Sequence, residues 1–368
     1  MRSWIVAPLL AATVLAGCSD GTGPAAARDG QDPLVEQLVE MGFRRDQIRD
    51  AGDHFVVEGD IRFDKKALAA APSPMARPGG PRGQRVVSTF GGTRRTIRVN
   101  LAAVQAENAS WATATRSALT NWSSINGVDI TLVEGTPADI TVSFANNADF
   151  TWPCTVAQGS WPISGNPGTI VRINRLYAGS YAAAQQVWIM SHEFGHNLGL
   201  AHTNSSDGTH ISGTPTSDAG SVMNSGGSSC PPAAPNWSAF SAGDQAAVFA
   251  LYPMPGPSVS ATQGLSGNTV LSWSGITGAL YYQVRRNEMY REWNSFEEWS
   301  YEYPSTGAWV DVYATSYDTD ASWTGTSSCH WDYGQKTEAS RNAWYEVHAV
   351  YASGIGPTVI VDANDLYC

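Results

Sequence analysis

The chain has 368 residues, of which 42% are hydrophobic and 15% are charged. This composition predicts folded domains with sizeable cores and excludes a largely disordered chain. The formal net charge is -11 and no basic stripe is present. Nucleic acid is therefore not an expected partner, because an acidic surface repels phosphate groups.

The first 17 residues have the features of an export signal, with Arg2 ahead of an apolar stretch (4–16) that is too short to cross a bilayer. The stretch runs into LAGC (15–18), which resembles the lipobox of bacterial lipoproteins. We therefore predict removal of residues 1–17 and lipidation of Cys18, with an ordinary signal peptide as the alternative. Residues 18–32 predict a tether. The expected location is the outer membrane or cell surface, reached through the N-terminal lipid only, or the medium after release.

Four other cysteines are present, and an even number in an exported chain predicts two disulfides. Of the three pairings that four cysteines allow, Cys154–Cys230 and Cys329–Cys368 keep each bond within one predicted domain. A structural zinc site built from all four cysteines is the competing interpretation, but no C-x-x-C spacing supports it.

Residues 33–70 predict a small folded segment that precedes the main domain. Leu34, Leu38 and Met41 have helical spacing, and HFVVEGDIRF (54–63) is typical of a strand. Residues 71–85 are rich in Pro, Gly and Arg and predict a linker that proteases can reach.

Residues 86–254 predict an α/β domain, because strand patterns such as RTIRVNL (95–101) and DITVSFAN (139–146) alternate with helical patterns. One predicted helix has a buried face formed by Trp111, Ala114, Ala118, Leu119 and Trp122. A second long helix is predicted from about Tyr181 to Gly199, where glycine can adopt the left-handed conformation that ends a helix.

Residues 255–368 predict an all-β sandwich. Three prolines mark its start, and the patterns beyond them alternate with a period of two. The predicted inward-facing side chains are Leu271, Trp273, Tyr282, Val284, Tyr345, Val347 and Ala349. This region resembles a fibronectin type III module.

The segment MSHEFGHNLGLAHTN (190–204) holds three of the seven histidines. On a helix, His192 and His196 share one face and can bind one metal ion, with Glu193 beside them. If the helix ends at Gly199, His202 can return as a third ligand. Three protein ligands and an open fourth position are typical of a catalytic zinc site.

This set of residues predicts metal-assisted hydrolysis of peptide bonds. Zinc lowers the pKa of a bound water from 15.7 to about 7, and Glu193 is expected to act as the general base and then to protonate the leaving amine. The loops from 204 to 218 contain Asp and Asn, but no complete calcium-loop pattern supports Ca²⁺. The remaining histidines are predicted to be structural or exposed: His54, His210, His330 and His348.

HEFGHNLGLAH matches the metzincin motif, and SDAGSVMNSG (217–226) resembles its Met-turn. Together with VVEGDIRFD and INRLYAGS, these segments resemble the bacterial HEIGH-type dual-action metallopeptidases over about residues 33–254. The resemblance implies a metzincin-like domain with an active-site helix, one zinc ion, protein or peptide substrates, and Met223 beneath the metal; an ordinary core methionine is the alternative. Asn204 departs from the expected pattern, which leaves Asp207 as a candidate to brace His202. Ser225 stands where astacin-like and serralysin-like enzymes have a tyrosine, so no tyrosine is expected to assist at the zinc there.

Glu58-Gly59-Asp60-Ile61 resembles the F-x-G-D motif of astacin propeptides, with Val57 in place of Phe. The resemblance implies that Asp60 occupies the open metal position. It also implies that cleavage near Arg77, Arg82 or Arg85 activates the enzyme. The alternative is a simple turn at a strand edge.

An alternative function is a catalytically silent, metzincin-like surface binding protein that attaches through its C-terminal module. Its aromatic side chains could stack on sugars or bind a protein, although such residues more often belong to core or satellite packing. They are Trp293, Phe296, Trp299, Trp309 and Trp323. The presence of Glu193 argues against this reading, because a pure binder needs no general base.

Overall fold

The computed structural model describes residues 32–71, 85–86, 96–226, 229–263, 269–294, 299–318, 328–332, 335–352 and 354–362. Predictions that fall outside these ranges concern Cys18, Arg77, Arg82, Phe296, Trp323 and Cys368, and the side chains of Trp293, Trp299, Cys329 and His330 are likewise not described.

The α-helices are α1 (Pro33–Glu40), α2 (Lys65–Ala70), α3 (Ala102–Glu107), α4 (Ala109–Ser123), α5 (Ala183–Asn197) and α6 (Ala242–Leu251). Within the described ranges, no helix has the length and apolarity required to span a membrane.

The described residues up to 210 contain β1 (Ile48–Asp50), β2 (His54–Val57), β3 (Ile61–Asp64), β4 (Arg85–Val86), β5 (Thr96–Asn100), β6 (Thr131–Glu134), β7 (Ile140–Ala145), β8 (Ala157–Ser160), β9 (Ile170–Asn174), β10 (Leu200–Ala201) and β11 (Thr209–His210). Eight of them form one sheet in the order β1-β2-β3-β8-β9-β7-β5-β6. The predicted N-terminal segment therefore contributes strands to the main sheet, since β3 runs parallel to β8.

The prediction of a single strand over HFVVEGDIRF was wrong. β2 and β3 form an antiparallel hairpin, and residues 58–60 make the turn between them. Glu58 has φ +51° and Gly59 has φ +102°, and two consecutive residues with positive φ reverse the chain. The turn carries Asp60 toward α5.

Helices α4 and α5 pack against each other and hold the metal-binding motif in place. Trp111 and Trp122 are fully buried, and the Trp122 indole donates a hydrogen bond of 3.0 Å to the Ser191 carbonyl on α5. Helix α5 ends before Gly199, whose φ of +92° is accessible mainly to glycine. This break turns the chain so that residues 200–202 run back beside the helix.

Residues from 259 onward form two antiparallel sheets. The strands are β12 (Val259–Gln263), β13 (Thr269–Trp273), β14 (Tyr281–Asn294), β15 (Trp299–Thr306), β16 (Val310–Val312), β17 (Ser316–Asp318), β18 (Ser328–Asp332), β19 (Gln335–Tyr351), β20 (Gly354–Ile355) and β21 (Val359–Asp362). The seven side chains predicted to face inward are all buried in one core between the sheets. The predicted fold class, an α/β catalytic-type domain followed by an all-β sandwich, is confirmed.

Candidate metal centre

Three imidazole rings converge at the end of α5. His192 Nε2 lies 3.0 Å from His196 Nε2 and 3.1 Å from His202 Nε2. All three side chains are buried, with exposures of 0–3%. His192 and His196 are one helical turn apart, and the break at Gly199 brings His202 beside them.

The other ring nitrogens show which tautomer each histidine adopts. His192 Nδ1 lies 2.7 Å from the Val222 carbonyl, and His196 Nδ1 lies 2.8 Å from the Leu200 carbonyl. Carbonyl oxygens only accept hydrogen bonds, so both Nδ1 atoms carry a proton, and in the neutral form of each ring the Nε2 atom carries the lone pair. Lone pairs that face one another at this distance repel, and a shared cation removes that repulsion. Zn–N bonds of 2.0–2.1 Å would hold tetrahedral ligand nitrogens roughly 3.3 Å apart, which fits this donor set.

Asp60 completes the cluster from the β2–β3 turn. Its carboxylate oxygens lie 3.5 Å from His192 Nε2, 3.6 Å from His196 Nε2 and 3.3 Å from His202 Nε2. Within the described part of the chain, Oδ1 is buried without a hydrogen-bond partner. These four side chains are also the one group of three or more His, Cys, Asp or Glu among the described residues that could share an ion.

The charges of the cluster favour a cation. Burial would raise the pKa of Asp60, but the neighbouring histidines, His202 first, hold it well below its usual value. Burial lowers the pKa of His196 to about 4, so this ring is neutral and able to bind a metal. For His202 the carboxylates of Asp60 and Glu58 outweigh burial and raise the pKa well above its usual value. The negative charge that stabilises a proton there also stabilises a metal ion.

Glu193 lies in the same buried space, at 3% exposure. Burial, and then the charge of Asp60, raise its pKa well above the usual value for a glutamate. Its Oε2 has no hydrogen-bond partner among the residues described. A buried carboxylate oxygen in this state is available to a donor on a ligand or water.

The predicted Met-turn residue, Met223, is fully buried against α5. A Cβ added to Gly195 would lie 2.2 Å from Met223 Sδ, so the methionine fits directly against the helix between His192 and His196. Asp244 on α6 holds this turn, because it accepts hydrogen bonds of 2.9 Å from the Val222 amide and 2.6 Å from the Ser221 hydroxyl.

A cleft of about 380 Å³ opens next to the cluster, bounded by Asp60, His192 and Glu193. Its walls are mostly apolar and include Val156, Tyr181, Trp188, Ile189 and Ala234. Cys154 and Cys230 form a disulfide across a sequence separation of 76 residues, and Cys154 also lines the cleft. The cleft can therefore hold an extended, partly apolar ligand against the metal-facing side chains.

Two residues that depart from the expected motif contact each other. The Asn204 side chain accepts a hydrogen bond of 3.0 Å from the Ser225 amide and another from the Ser225 hydroxyl. They tie the chain after His202 to the end of the Met-turn.

Sequence reasoning missed Glu58. Its Oε2 lies 3.1 Å from His202 Nδ1, in the position for which Asp207 was a candidate. Asp207 lies behind it, accepting a hydrogen bond of 3.1 Å from the Arg44 amide; burial, and then the charge of Glu58, raise the pKa of Asp207 to about 6. The available signal was an acidic side chain at a turn position where glycine or asparagine is usual.

The other histidines with described side chains lie apart from the cluster. His54 contacts Asp53, His210 contacts Thr214 and the Pro215 carbonyl, and His348 contacts Gln283 in the C-terminal region. None of these three contributes a ligand atom to the four-residue group.

The part of the chain that holds this site is similar to a known family of metallopeptidases. Residues 82–252 match the model of a family described as dual-action HEIGH metallo-peptidase. Among solved structures, the chain is similar to the structure of myroilysin, with 20% identity, a TM-score of 0.34, and coverage of 47% of this chain and 100% of that one. The comparison with curated proteins gave no match. The family match spans the three histidines, Glu193 and Met223, and it confirms the resemblance of this part of the chain to the HEIGH-type metallopeptidases.

Proposed function

We propose that the chain is a zinc-dependent endopeptidase in which Glu193 is the general base. The observation that carries the proposal is the convergence of three histidine Nε2 atoms beside a buried glutamate with an unpartnered oxygen. When bound, zinc would supply Lewis-acid chemistry to a peptide carbonyl and to a water molecule. Glu193 would accept a proton from the attacking water and return it to the leaving amine.

The adjacent cleft supports a peptide substrate. Its apolar walls can receive an apolar side chain, while Glu193 and the metal-facing histidines lie along one side. Exclusion of water from such a space strengthens the electrostatic contacts that the reaction requires.

We further propose that the uncleaved chain is latent and that Asp60 is the inhibitory group. Support comes from distances of 3.3–3.6 Å between the Asp60 carboxylate and the three Nε2 atoms, where a carboxylate would compete with substrate. Of the predicted cleavage points, Arg85 lies in β4, which is paired on both sides by β10 and β11. Arg85 is therefore the least accessible of the three cleavage points, because proteases require an unpaired extended chain.

The decisive experiment compares the full chain with its Asp60→Ala, Glu193→Ala and double variants. We expect one zinc per chain in each, cleavage of an unfolded protein by Asp60→Ala, and loss of that cleavage in the double variant by roughly 10²–10⁴-fold. Asp46→Ala is the matched control, since Asp46 is an exposed acid of the same segment.

The outcomes separate the competing functions. Zinc binding with no cleavage by Asp60→Ala, even after treatment with a protease that cuts the linker, would favour the silent binding protein. Cleavage by the parent chain at the rate of Asp60→Ala would remove the latency proposal and leave the peptidase intact.

Export as a lipoprotein is also a proposal. The Cys154–Cys230 disulfide supports an oxidising compartment. Metabolic labelling with a fatty acid, lost in Cys18→Ala, is the expected result, whereas labelling of both proteins or of neither would argue against lipidation at Cys18.

A further inference from the structure

The N-terminal segment supplies a second carboxylate to the site, besides Asp60. Glu58 Oε2 lies 3.1 Å from His202 Nδ1, while its Oε1 accepts a hydrogen bond from the Ser205 hydroxyl. The Glu58 side chain is 7% exposed. It is therefore fixed against the back of the third histidine and does not face the metal position.

The three histidines differ in what holds them. His192 and His196 are oriented by the backbone carbonyls of Val222 and Leu200, which belong to the catalytic domain itself. His202 Nδ1 instead faces a carboxylate of the N-terminal segment at ion-pair distance, since Glu58 Oε2 lies 3.1 Å away. Among the described residues this oxygen has no hydrogen-bond partner of good geometry, so the contact is electrostatic. Removal of that segment would leave the first two orientations intact and change the third.

The backbone conformation of Glu58 is unfavourable for glutamate, which indicates that the contacts of its side chain hold the residue in place. Its φ of +51° is a left-handed conformation, which glycine or asparagine adopts with less strain than glutamate. Strained residues of this kind occur where the surrounding structure or function holds them in place. Here the contacts to His202 and Ser205 hold the residue.

We propose that Glu58 is a positioning residue for the metal site, so that the N-terminal segment strengthens metal binding as well as blocking the site. The Glu58 carboxylate would hold His202 with the proton on Nδ1 and the lone pair of Nε2 toward the ion. A carboxylate in this place also makes the imidazole more basic, and loss of such an outer partner typically weakens metal binding roughly 10–100-fold. The inference rests on the proposed function, because it requires the three histidines to bind zinc.

The proposal has a consequence for the order of zinc binding and cleavage. The uncleaved chain would acquire zinc in a site that is completed and closed by one turn, residues 58–60. After cleavage and displacement of the segment, the active enzyme would hold zinc less tightly than the precursor. Metal loading would therefore be most efficient before activation.

The test measures the zinc dissociation constant of the full chain by competition with a chelator. Glu58→Gly should bind zinc roughly 10–100-fold more weakly than the parent. Glu58→Gln should remain within a few-fold of the parent, because its amide oxygen can occupy the same place beside His202 Nδ1 and is itself an acceptor. Asp46→Gly, in the same segment, should leave the affinity unchanged. The melting temperature of metal-free Glu58→Gly should not fall, because glycine suits the positive φ.

The results distinguish this inference from the proposed function. If the parent binds one zinc tightly and Glu58→Gly binds it equally well, Glu58 has no positioning role while the metal site stands. If Gln and Gly weaken binding equally and both lower the melting temperature, Glu58 serves the fold alone and the inference fails. If the parent binds no zinc, the metal site itself is wrong and the inference falls with it.

Discussion

Two segments meet at the candidate metal centre: one supplies histidines from a helix, and the other supplies carboxylates from a hairpin turn. The first, residues 192–202, carries three histidines on one helix and the turn that follows it, and the catalytic domain's own carbonyls orient two of them. The second, residues 58–60, reaches the same point from a distant part of the chain through a hairpin turn with two positive φ values. Under the proposed function this difference would separate metal binding from its control. The three histidines belong to the α/β domain itself, whereas the two carboxylates lie on a segment that precedes it.

The N-terminal segment is nevertheless firmly attached. The rings of Phe43, Phe63 and Trp161 pack against one another with centroids 5.4–5.7 Å apart. They belong to a buried cluster that joins the segment to Trp161 and Ala201 of the following domain. Backbone hydrogen bonds of 2.9–3.1 Å join β3 to β8. A cut in the linker would therefore not release the segment by itself, and the proposed activation would also require its displacement.

The largest expected effect is the loss of zinc affinity when one of the three histidines is removed. His196→Ala removes a fully buried ligand, so zinc affinity should fall by more than the roughly 10–100-fold typical of outer-shell losses. Metal analysis and chelator competition on the full chain measure this, with His210→Ala as the control outside the cluster. Equal zinc content in His196→Ala and the parent would mean that this histidine is not a ligand.

Phe43→Ala tests how firmly the N-terminal segment (33–70) is attached to the domain that follows it. Phe43 is 1% exposed, and truncation of a buried phenylalanine costs about 3–5 kcal/mol, which should loosen the segment and increase peptidase activity of the uncleaved chain. Arg45→Ala removes only an exposed ion pair with Glu36 and should change the free energy of unfolding by less than about 1 kcal/mol. Activity assays and thermal unfolding report both effects; a destabilised Phe43→Ala chain that stays inactive would show that the segment does not limit activity.

The two segments also differ in how far the sequence alone predicts them. The spacing of His192, His196 and His202, with Gly199 between them, is a local signal, because helical geometry and a glycine break determine where the side chains go. The role of Glu58 depends on a turn hidden within an apparently continuous strand pattern. Its approach to His202 depends on pairing between β3 and β8, which are nearly 100 residues apart along the chain. Such long-range pairing leaves no signal in a single sequence. An acid at the turn could mark Glu58 as unusual, but it could not show that Glu58 lies beside His202.

A smaller effect is expected at the support of the Met-turn. Asp244→Asn places an amide donor opposite the Val222 amide or the Ser221 hydroxyl, both of which now donate to Asp244. An unsatisfied buried group of this kind costs about 1–3 kcal/mol. Because the Val222 carbonyl orients His192, zinc affinity should also fall several-fold. Thermal unfolding and chelator competition would show both changes, and the exposed neighbour Gln245 serves as a control when changed to Ala. Unaltered stability would mean that Asp244 does not support the turn.

The smallest effect concerns contact between the Met-turn and α5. In Gly195→Ala the new Cβ would lie 2.2 Å from Met223 Sδ, and overpacking costs about 1–3 kcal/mol. The greater helix propensity of alanine offsets about 1 kcal/mol of this, so a net loss of about 1 kcal/mol in the free energy of unfolding is expected. Gly179→Ala is the matched control, since no atom lies within 4 Å of the added Cβ. Adding Met223→Ala to Gly195→Ala should remove the clash, so the two changes together should cost less than the sum of the two alone. Additive losses would show that Met223 does not pack against the helix at this glycine, and the apolar support beneath the histidines would then have to come from another side chain.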